Sequence, residues 1–282
     1  MKLNEEAIKT FWNENSCGES LVGGFNDDYK AFFDKYDNYR YTKEKHILKF
    51  LDKIQFERKQ VLEIGLGQGA DSEQIIRRGG IWSGLDLTET SIDRVKKRLE
   101  LKQLPFSDIK QGSALEIPYP DNSFDIVYSF GVLHHIPEIK EAQAEIARVL
   151  KPSGRLVIML YSKYSLNYLL SISIVRRLGI FLLYALNIKT KSGIYNQHLE
   201  NARKIGIFNY LKMKNFIHKN TDGPLNPYAK VYNIPLVVKD FMSFNIKNTY
   251  KDFLYAPPLP VGKLPGSSLL GWHLLLDMEV QK

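Results

Sequence analysis

The amino-acid sequence predicts an α/β fold: a doubly wound, mostly parallel sheet of seven strands with an antiparallel edge strand, plus a helical cap. Three observations support this prediction. Apolar strand-like runs alternate with amphipathic helices between residues 55 and 161, and such alternation requires parallel strands joined by right-handed crossovers. A strong strand pattern returns at residues 271–280, whereas residues 162–232 are helical in texture and basic. We therefore expect an N-terminal helical lid (1–54), a core (55–161 with 233–282) and an inserted cap (162–232).

The individual elements follow from the spacing of apolar residues. Residues 28–54 repeat apolar side chains every three or four positions, as a helix does. The predicted strands of the core are residues 61–65, 81–87, 108–114, 124–130 and 155–161, and the predicted helices are residues 70–78, 88–101 and 140–150. Thr88 is placed to cap the second of these helices, and Pro152 with Gly154 to end the third. After the cap, residues 234–244 are predicted as a helix and residues 248–256 and 271–280 as strands.

Charge is distributed unevenly along the chain. Residues 162–232 hold eleven Lys and Arg against two acids, a balance of 11 − 2 = +9, which leaves about −1 for the rest of a chain of net charge +8. Such a segment suits an anionic partner, whether a phosphorylated small molecule, an acidic lipid surface or nucleic acid; a solvated surface is the alternative. The single cysteine, Cys17, excludes a disulfide framework and fits the cytoplasm. Residues 1–12 contain acids and no apolar run, so we expect no signal peptide.

One segment of the cap, residues 165–187, is long and apolar enough to resemble a membrane span. Arg176 and Arg177 lie at its centre, and each central arginine costs about 2.5–3.5 kcal/mol on insertion scales. The pattern favours two apolar helical halves that meet at the arginine pair and pack in a lid. Peripheral contact with a membrane surface is the alternative.

Residues 61–71, VLEIGLGQGAD, predict a nucleoside pocket at the end of a strand. Gly65, Gly67 and Gly69 allow a sharp turn and a close approach of the backbone to a ligand. The pattern also satisfies G-x-G-x-x-G/A with an acid about twenty residues on, so a nicotinamide enzyme is a competing hypothesis. Asp71 and Glu73 in the first helical turn would repel a pyrophosphate, which favours a cofactor that carries positive charge.

Four blocks in order carry a family resemblance: VLEIGLGQGAD, GLDLTETSI, GSALEIPYPDNSFDIVYSFGVLHHIP and EIARVLKPSGRLVIMLY. Together they cover residues 61–161. On them the chain resembles the class I S-adenosylmethionine-dependent methyltransferases, in the small-molecule (methyltransferase type 11, UbiE-like) group. The resemblance implies a Rossmann-like sheet, S-adenosylmethionine as cofactor and S-adenosylhomocysteine as product.

The resemblance also implies positions for the cofactor. Residues of the first block that would line the methionine half and the ribose edge are Glu63, Gly65, Leu66, Gly67 and Gly69. Asp86 would accept both ribose hydroxyls and Leu87 would pack beside the adenine. Residues expected at the adenine amino edge and beside the sulfonium are Ser113, Ala114, Ser129 and Phe130. The family usually has an acid where Ser113 stands, which puts that contact in doubt.

Two adjacent histidines follow the fourth predicted strand. A hydroxyl acceptor needs a base, and histidine titrates nearest neutral pH. We expect His134 to be the base, with His135 second. The sequence shows no spacing typical of metal ligands, so we expect metal-independent chemistry.

The predicted function is therefore methyl transfer to a small molecule, most simply to a hydroxyl of a sugar or secondary metabolite. Open alternatives are an anionic lipid-linked acceptor, N- or C-methylation, and a cofactor-binding regulator. A nucleic-acid substrate is less supported because no Asn-Pro-Pro-Tyr-type block follows the fourth strand.

Overall fold

The chain folds around one seven-stranded sheet. The computed structural model describes residues 5–25 and 28–281. The strands are β1 (Gln60–Ile64), β2 (Ile81–Asp86), β3 (Asp108–Gln111), β4 (Phe124–Phe130), β5 (Leu150–Tyr161), β6 (Phe244–Asp252) and β7 (His273–Val280). Their order across the sheet is β3-β2-β1-β4-β5-β7-β6. Neighbouring strands pair in parallel from β3 to β5, while β7 is antiparallel to both β5 and β6. The predicted fold class is confirmed.

Helices precede the first strand and also connect the strands of the sheet. The N-terminal helices are α1 (Glu5–Glu14), α2 (Tyr29–Lys43) and α3 (His46–Leu51), and those of the core are α4 (Ala70–Arg77), α5 (Glu89–Lys102) and α6 (Ile139–Val149). The predicted single helix over residues 28–54 is wrong. It breaks after Lys43, which allows His46 to turn inward and meet His273 of β7 at 2.9 Å between ring nitrogens. Thr88 caps α5 as predicted, its hydroxyl accepting from the amide of Ser91.

The last strands differ from the prediction in their bounds. Strand β6 begins at Phe244 and ends at Asp252, four residues earlier than predicted, because Phe253 adopts a positive φ of 67° that ends the pairing with β7. The helix α11 (Ile234–Asp240) is correspondingly shorter than residues 234–244, and α12 (Ser267–Leu270) precedes β7. Strand β3 also stops at Gln111, three residues before the predicted end, and the amide of Gly112 makes the last bond to β2, to the carbonyl of Asp86 at 2.9 Å.

Residues 162–232 are helical, as expected, and leave the sheet at the end of β5. Their helices are a π-helical stretch Asn167–Arg176 that continues as α7 (Arg177–Ala185), then α8 (Gly193–Ile205), α9 (Ile207–Tyr210) and α10 (Met213–Phe216). The amide of Tyr232 bonds the carbonyl of Tyr161, and the amide of Lys163 bonds the carbonyl of Tyr232, both at 2.7 Å. The two ends of the segment therefore meet beside β5. The helical hydrogen-bond pattern changes at the Arg176–Arg177 pair.

Two apolar layers, one on each face of the sheet, hold the helices in place. Trp82, Tyr128 and Met159 belong to the layer that also packs α3, α4 and part of the cap. Val127 and Leu156 belong to the opposite layer, which packs α6 and α11. Because both faces are covered, the polar ends of the parallel strands are where a ligand can enter.

Candidate functional site

A cavity lies at the carboxyl ends of β1, β2 and β4, and α1 and α2 close it from the N-terminal side. Nine of the residues that the sequence singled out line it: Glu63, Gly65, Leu66, Gly67, Asp86, Leu87, Ala114, Phe130 and His135. Four others do not, namely Gly69, Ser113, Ser129 and His134. The cavity also receives side chains from the N-terminal helices, among them Glu5, Trp12, Tyr36 and Arg40.

The glycine turn after β1 brings backbone to the cavity wall. Gly65 has a φ of +79°, and a Cβ built there would lie 2.2 Å from Cγ2 of Val132, so only glycine fits. Gly67 also has a positive φ, of +53°. Gly69 instead precedes α4 in a left-handed conformation and packs against Val95 and Arg98, away from the cavity. This conformation places Gly69 at the N-cap of α4.

Asp86 ends β2 with its carboxylate held in one orientation. Oδ2 accepts from the amide of Leu66 at 2.7 Å, and Oδ1 accepts from the amide and hydroxyl of Thr88 at 2.8 and 2.7 Å. Burial raises the pKa of Asp86 and outweighs these hydrogen bonds, which lower it. A carboxylate fixed in this way beside a glycine turn fits a vicinal diol such as that of ribose.

Glu63 is a buried carboxyl with a raised pKa. It lies on β1, only 2% exposed, and accepts from the indole Nε1 of Trp82 at 2.8 Å. Burial, followed by the charge of Asp71, raises its pKa to about 8. Near neutral pH this carboxyl is therefore mostly protonated until a cation approaches it, and the ammonium group of S-adenosylmethionine is such a cation.

Arg40 of α2 is a cavity residue that sequence reasoning missed. Its guanidinium forms a two-bond contact with Asp71 (2.8 and 3.2 Å) and lies 5.2 Å from the ring centroid of Phe130. The Asp71 charge holds the pKa of Arg40 well above its ordinary value although burial opposes this. A fixed guanidinium beside Glu63 suits a ligand carrying both a carboxylate and an amine. No local pattern in α2 signals this role.

Glu5 brings a carboxylate to position 113, where the family that this chain resembles usually has an acid. Ser113 does not line the cavity; its hydroxyl donates to a carboxylate oxygen of Glu5 and accepts from the amide of Leu115 at 3.0 Å. Glu5 lies on α1 and lines the cavity. The Ser113 side chain therefore holds Glu5 beside the cavity and does not line the cavity itself.

His134 and Ser129 lie outside the cavity, contrary to expectation. The Ser129 hydroxyl is fully buried and donates to the carbonyl of Ile64 at 2.9 Å. His134 is fully buried, with its ring 3.8 Å from that of Tyr161 between centroids. Burial lowers the pKa of His134 well below its ordinary value, so the ring is neutral and inaccessible. The turn Leu133–His135 directs the second histidine, not the first, to the cavity.

His135 meets the cavity, and residues of the cap hold it. Its Nδ1 lies 2.7 Å from the carbonyl of Tyr228, and its Nε2 lies 3.4 Å from Oδ2 of Asp222. The hydroxyl of Tyr161 donates to the other oxygen of Asp222 at 2.7 Å. The indole of Trp12 contacts the imidazole edge-on, with centroids 5.0 Å apart. Because a carbonyl only accepts, Nδ1 carries a proton, while Nε2 is buried and has the Asp222 carboxylate as its nearest polar neighbour.

Comparisons with known proteins point to one family. Residues 62–158 match the family described as "Methyltransferase domain". Among curated proteins, the phthiotriol/phenolphthiotriol dimycocerosates methyltransferase of Mycobacterium tuberculosis is 37% identical over 98 residues, 34% of this chain and 35% of that protein. The fatty-acid O-methyltransferase of Mycolicibacterium smegmatis is 36% identical over 100 residues, 35% of each chain. The matched region thus spans about a third of these relatives.

A solved structure extends the likeness beyond that region. The SAM-dependent methyltransferase from Aquifex aeolicus superposes with a TM-score of 0.51 at 15% identity, covering 91% of this chain and all of the other. At this identity the match shows a common fold. The likeness covers 91% of this chain, well beyond residues 62–158.

Proposed function

We propose that the chain transfers a methyl group to a hydroxyl oxygen of an apolar or lipid-linked small molecule, with His135 as the base. The premise is that residues 62–158 form a class I S-adenosylmethionine-dependent methyltransferase domain. One observation carries the proposal. The same cavity contains the carboxylates of Glu63 and Asp86 and the imidazole of His135. Groups suited to the donor and a group suited to the acceptor therefore face one space.

The donor is held by groups of opposite charge to its own. Glu63 and Arg40 provide a carboxyl and a guanidinium for the amine and carboxylate of its methionine half. Asp86 receives the ribose hydroxyls, and Leu87 with Ala114 forms an apolar wall for the adenine. When bound, S-adenosylmethionine supplies the methyl group as an electrophile on a sulfonium.

His135 removes the proton that an alcohol must lose. Its Nδ1–H is held by the Tyr228 carbonyl, so the hydroxyl proton moves to Nε2 as the oxygen–methyl bond forms and the sulfur–methyl bond breaks. Nε2 is buried in this structure, so the acceptor must displace the side chains that cover it. The resulting imidazolium then lies 3.4 Å from the carboxylate of Asp222, which stabilises the positive charge. In this step the acceptor becomes an ether, the donor becomes a thioether, and the proton stays on His135.

The acceptor class follows from the wall around His135 and from the relatives. Trp12, Ile136 and Pro137 line the cavity next to the imidazole and suit an apolar molecule. One of the relatives described above is named for O-methylation of fatty acids, and the other for phthiotriol and phenolphthiotriol dimycocerosates. These observations favour a lipid-class acceptor over a free sugar, which is the alternative acceptor. The single cysteine fits a cytoplasmic location for this activity.

Two measurements test the proposal. Calorimetry with S-adenosylhomocysteine should show binding that weakens about 10- to 100-fold in Asp86→Asn, because the amide loses one acceptor oxygen. Methyl-labelled donor supplied with a lipid extract and, separately, a water-soluble metabolite extract should label the lipid fraction. Absence of donor binding contradicts methyl transfer itself, whereas labelling confined to the water-soluble fraction contradicts only the acceptor class.

A further inference from the structure

The outward face of the cap carries apolar side chains where a water-facing helix has polar ones. The helix Asn167–Ala185, which we name the cap helix, is long and apolar enough to cross a membrane, but it is attached to the fold along its inner side. Four of its side chains recur every four positions and stay exposed: Leu170 (36%), Ile174 (55%), Leu178 (54%) and Leu182 (46%). Residues at this spacing share one face of a helix. A continuous apolar face of this kind marks a contact with something other than water.

The apolar face continues beyond the cap helix. Leu186 follows at the same spacing and is 66% exposed. Phe208, the most exposed aromatic side chain of the cap at 77%, lies beside Phe181 of α7, with ring centroids 6.3 Å apart. The helix and the start of α9 therefore contribute to one surface.

Unpaired cations accompany this apolar face. Six exposed basic residues lie between the cap helix and the end of α10: Lys189, Lys191, Arg203, Lys204, Lys212 and Lys214. No carboxylate of the described residues forms an ion pair with any of them. Of the two acids in residues 162–232, Asp222 is engaged with His135 and Tyr161, which leaves Glu200 alone at the surface. The cap thus presents nearly unopposed positive charge.

The central arginines do not interrupt the apolar face. The Arg176 guanidinium turns inward and donates to the carbonyls of Pro257 at 2.9 Å and Asn220 at 2.6 Å. Arg177 donates to the carbonyl of Ser173, one turn back on the same helix. The inner side is further fixed by Ile172 and Ile180, which are buried in the core. Crossing a bilayer would break these contacts, so the helix fits a position flat in the lipid–water interface.

We propose that the cap docks on the surface of an anionic lipid bilayer, with the face formed by Leu170, Ile174, Leu178 and Leu182 in the acyl boundary and the six cations at the headgroups. A large apolar face bordered by Lys and Arg is the physical signature of interfacial binding. A second copy of this chain is the other candidate occupant, but it would bring like charges together. Charge complementarity therefore selects acidic lipid.

The docking surface takes no part in the reaction, but it lies on the same segment as two residues that hold the catalytic base. The segment that carries this face also supplies Asp222 and Tyr228, the partners of His135. A membrane-bound cap would thus hold the catalytic base near the source of a lipid acceptor, which rests on the proposed function. Docking itself needs neither donor nor acceptor and is measured without them, so the two proposals fail independently.

Vesicle flotation tests the docking with the full chain. Phosphatidylcholine vesicles with about a third phosphatidylglycerol should carry the protein to the top of the gradient, and pure phosphatidylcholine vesicles should carry at least ten-fold less. The double variant Ile174→Ser with Leu178→Ser should lose at least ten-fold in apparent affinity, because two interfacial apolar groups are removed. The matched control is Val238→Ser with Met242→Ser, at apolar residues equally exposed (58% and 59%) outside the cap; it should float like the parent.

The charge contribution has its own matched pair. Lys189→Gln with Lys191→Gln should weaken binding about five-fold per lysine, while the exposed pair Lys96→Gln with Lys239→Gln should not. Thermal melting checks that every variant folds. No flotation of the parent with acidic vesicles overturns the proposal, as does equal loss in test and control variants. Sedimentation that shows a dimer lost in Ile174→Ser with Leu178→Ser, without vesicle binding, assigns the face to a second copy and also overturns it.

Discussion

Two helices of this chain, α5 and the cap helix, expose opposite kinds of side chain to solvent. The exposed positions of α5 include Glu89, Asp93, Lys96 and Glu100. Those of the cap helix include Leu170, Ile174, Leu178 and Leu182. Each helix buries its other face in the same molecule. The difference shows that α5 exposes a polar face to water and packs its other face on the sheet, whereas the exposed face of the cap helix is apolar.

The contrast extends to the charged groups of the two regions. In the core region, two buried guanidinium groups are paired: Arg98 of α5 binds Asp37 and Glu73, and Arg40 binds Asp71. In the cap, no carboxylate of residues 5–25 or 28–281 pairs with the exposed cations, and Asp222 reaches back to His135. The two regions therefore differ in how they treat charge: the core pairs its buried guanidinium groups, and the cap exposes its cations to solvent.

The largest expected effect comes where the two regions meet, at His135. Replacement His135→Gln should lower kcat for the proposed reaction by about 10²-fold or more, because the base is lost. His134→Gln is the matched control; it should melt at lower temperature but keep kcat within about ten-fold, since its ring does not reach the cavity. The opposite ranking in turnover assays would restore His134 as the base.

The two faces of the cap helix should differ in their effect on folding. Ile172→Ala is expected to cost about 2–4 kcal/mol of unfolding free energy, because its side chain is fully buried in the core layer. Ile174→Ala, on the exposed face, should change that free energy by less than about 0.5 kcal/mol. Urea unfolding of both variants measures the difference, and comparable losses would mean that the outer face is covered within the monomer.

The buried carboxyl of Glu63 predicts a pH dependence of donor binding. Its pKa is raised to about 8 by burial and by Asp71, so below that pH it is protonated in the ligand-free protein. A bound ammonium favours the ionised form, and binding then releases a proton. Affinity for S-adenosylhomocysteine should therefore rise with pH, by up to about ten-fold per unit, between pH 6 and 8. Calorimetry on Glu63→Gln should show no such slope; a slope that persists assigns the proton to another group.

The same shift affects stability. Because the pKa of Glu63 is higher in the folded chain than its ordinary value of 4.5, its contribution is complete below pH 4.5 and is lost as the pH rises toward 8. The ligand-free parent should therefore lose melting temperature across that range relative to Glu63→Gln.

The smallest effect is expected at Glu5. Its carboxylate accepts from the Ser113 hydroxyl and lines the cavity near the expected adenine edge. Glu5→Gln should weaken S-adenosylhomocysteine binding about three- to ten-fold, as for one charge-assisted hydrogen bond lost at a half-buried site. Glu6→Gln, on the exposed side of α1, is the control and should leave the affinity unchanged. Equal affinities of both variants would show that α1 closes the cavity without contacting the donor.

Sequence reasoning succeeded where a local pattern carries the information. The strands, the turn at Gly65 and the acid at Asp86 follow from apolar periodicity, from a backbone that only glycine adopts and from a position at a strand end. It did not identify Arg40 or Glu5 as cavity residues, because α1 and α2 approach the cavity only once they have packed. It ranked His134 before His135, whereas only His135 lines the cavity, since two neighbours in sequence point in directions that only the turn between them decides.

The sequence by itself determined the seven-stranded sheet, the cofactor class and most of the β-strand side of the cavity wall, because each depends on residues within one strand and its following turn. Only the tertiary structure decided that His135 faces the cavity, that Asp222 and Tyr228 of the cap hold it, and that the apolar side of the cap helix stays uncovered. These depend on contacts between residues far apart in the chain. Such contacts form when whole elements pack, and no local spacing encodes them.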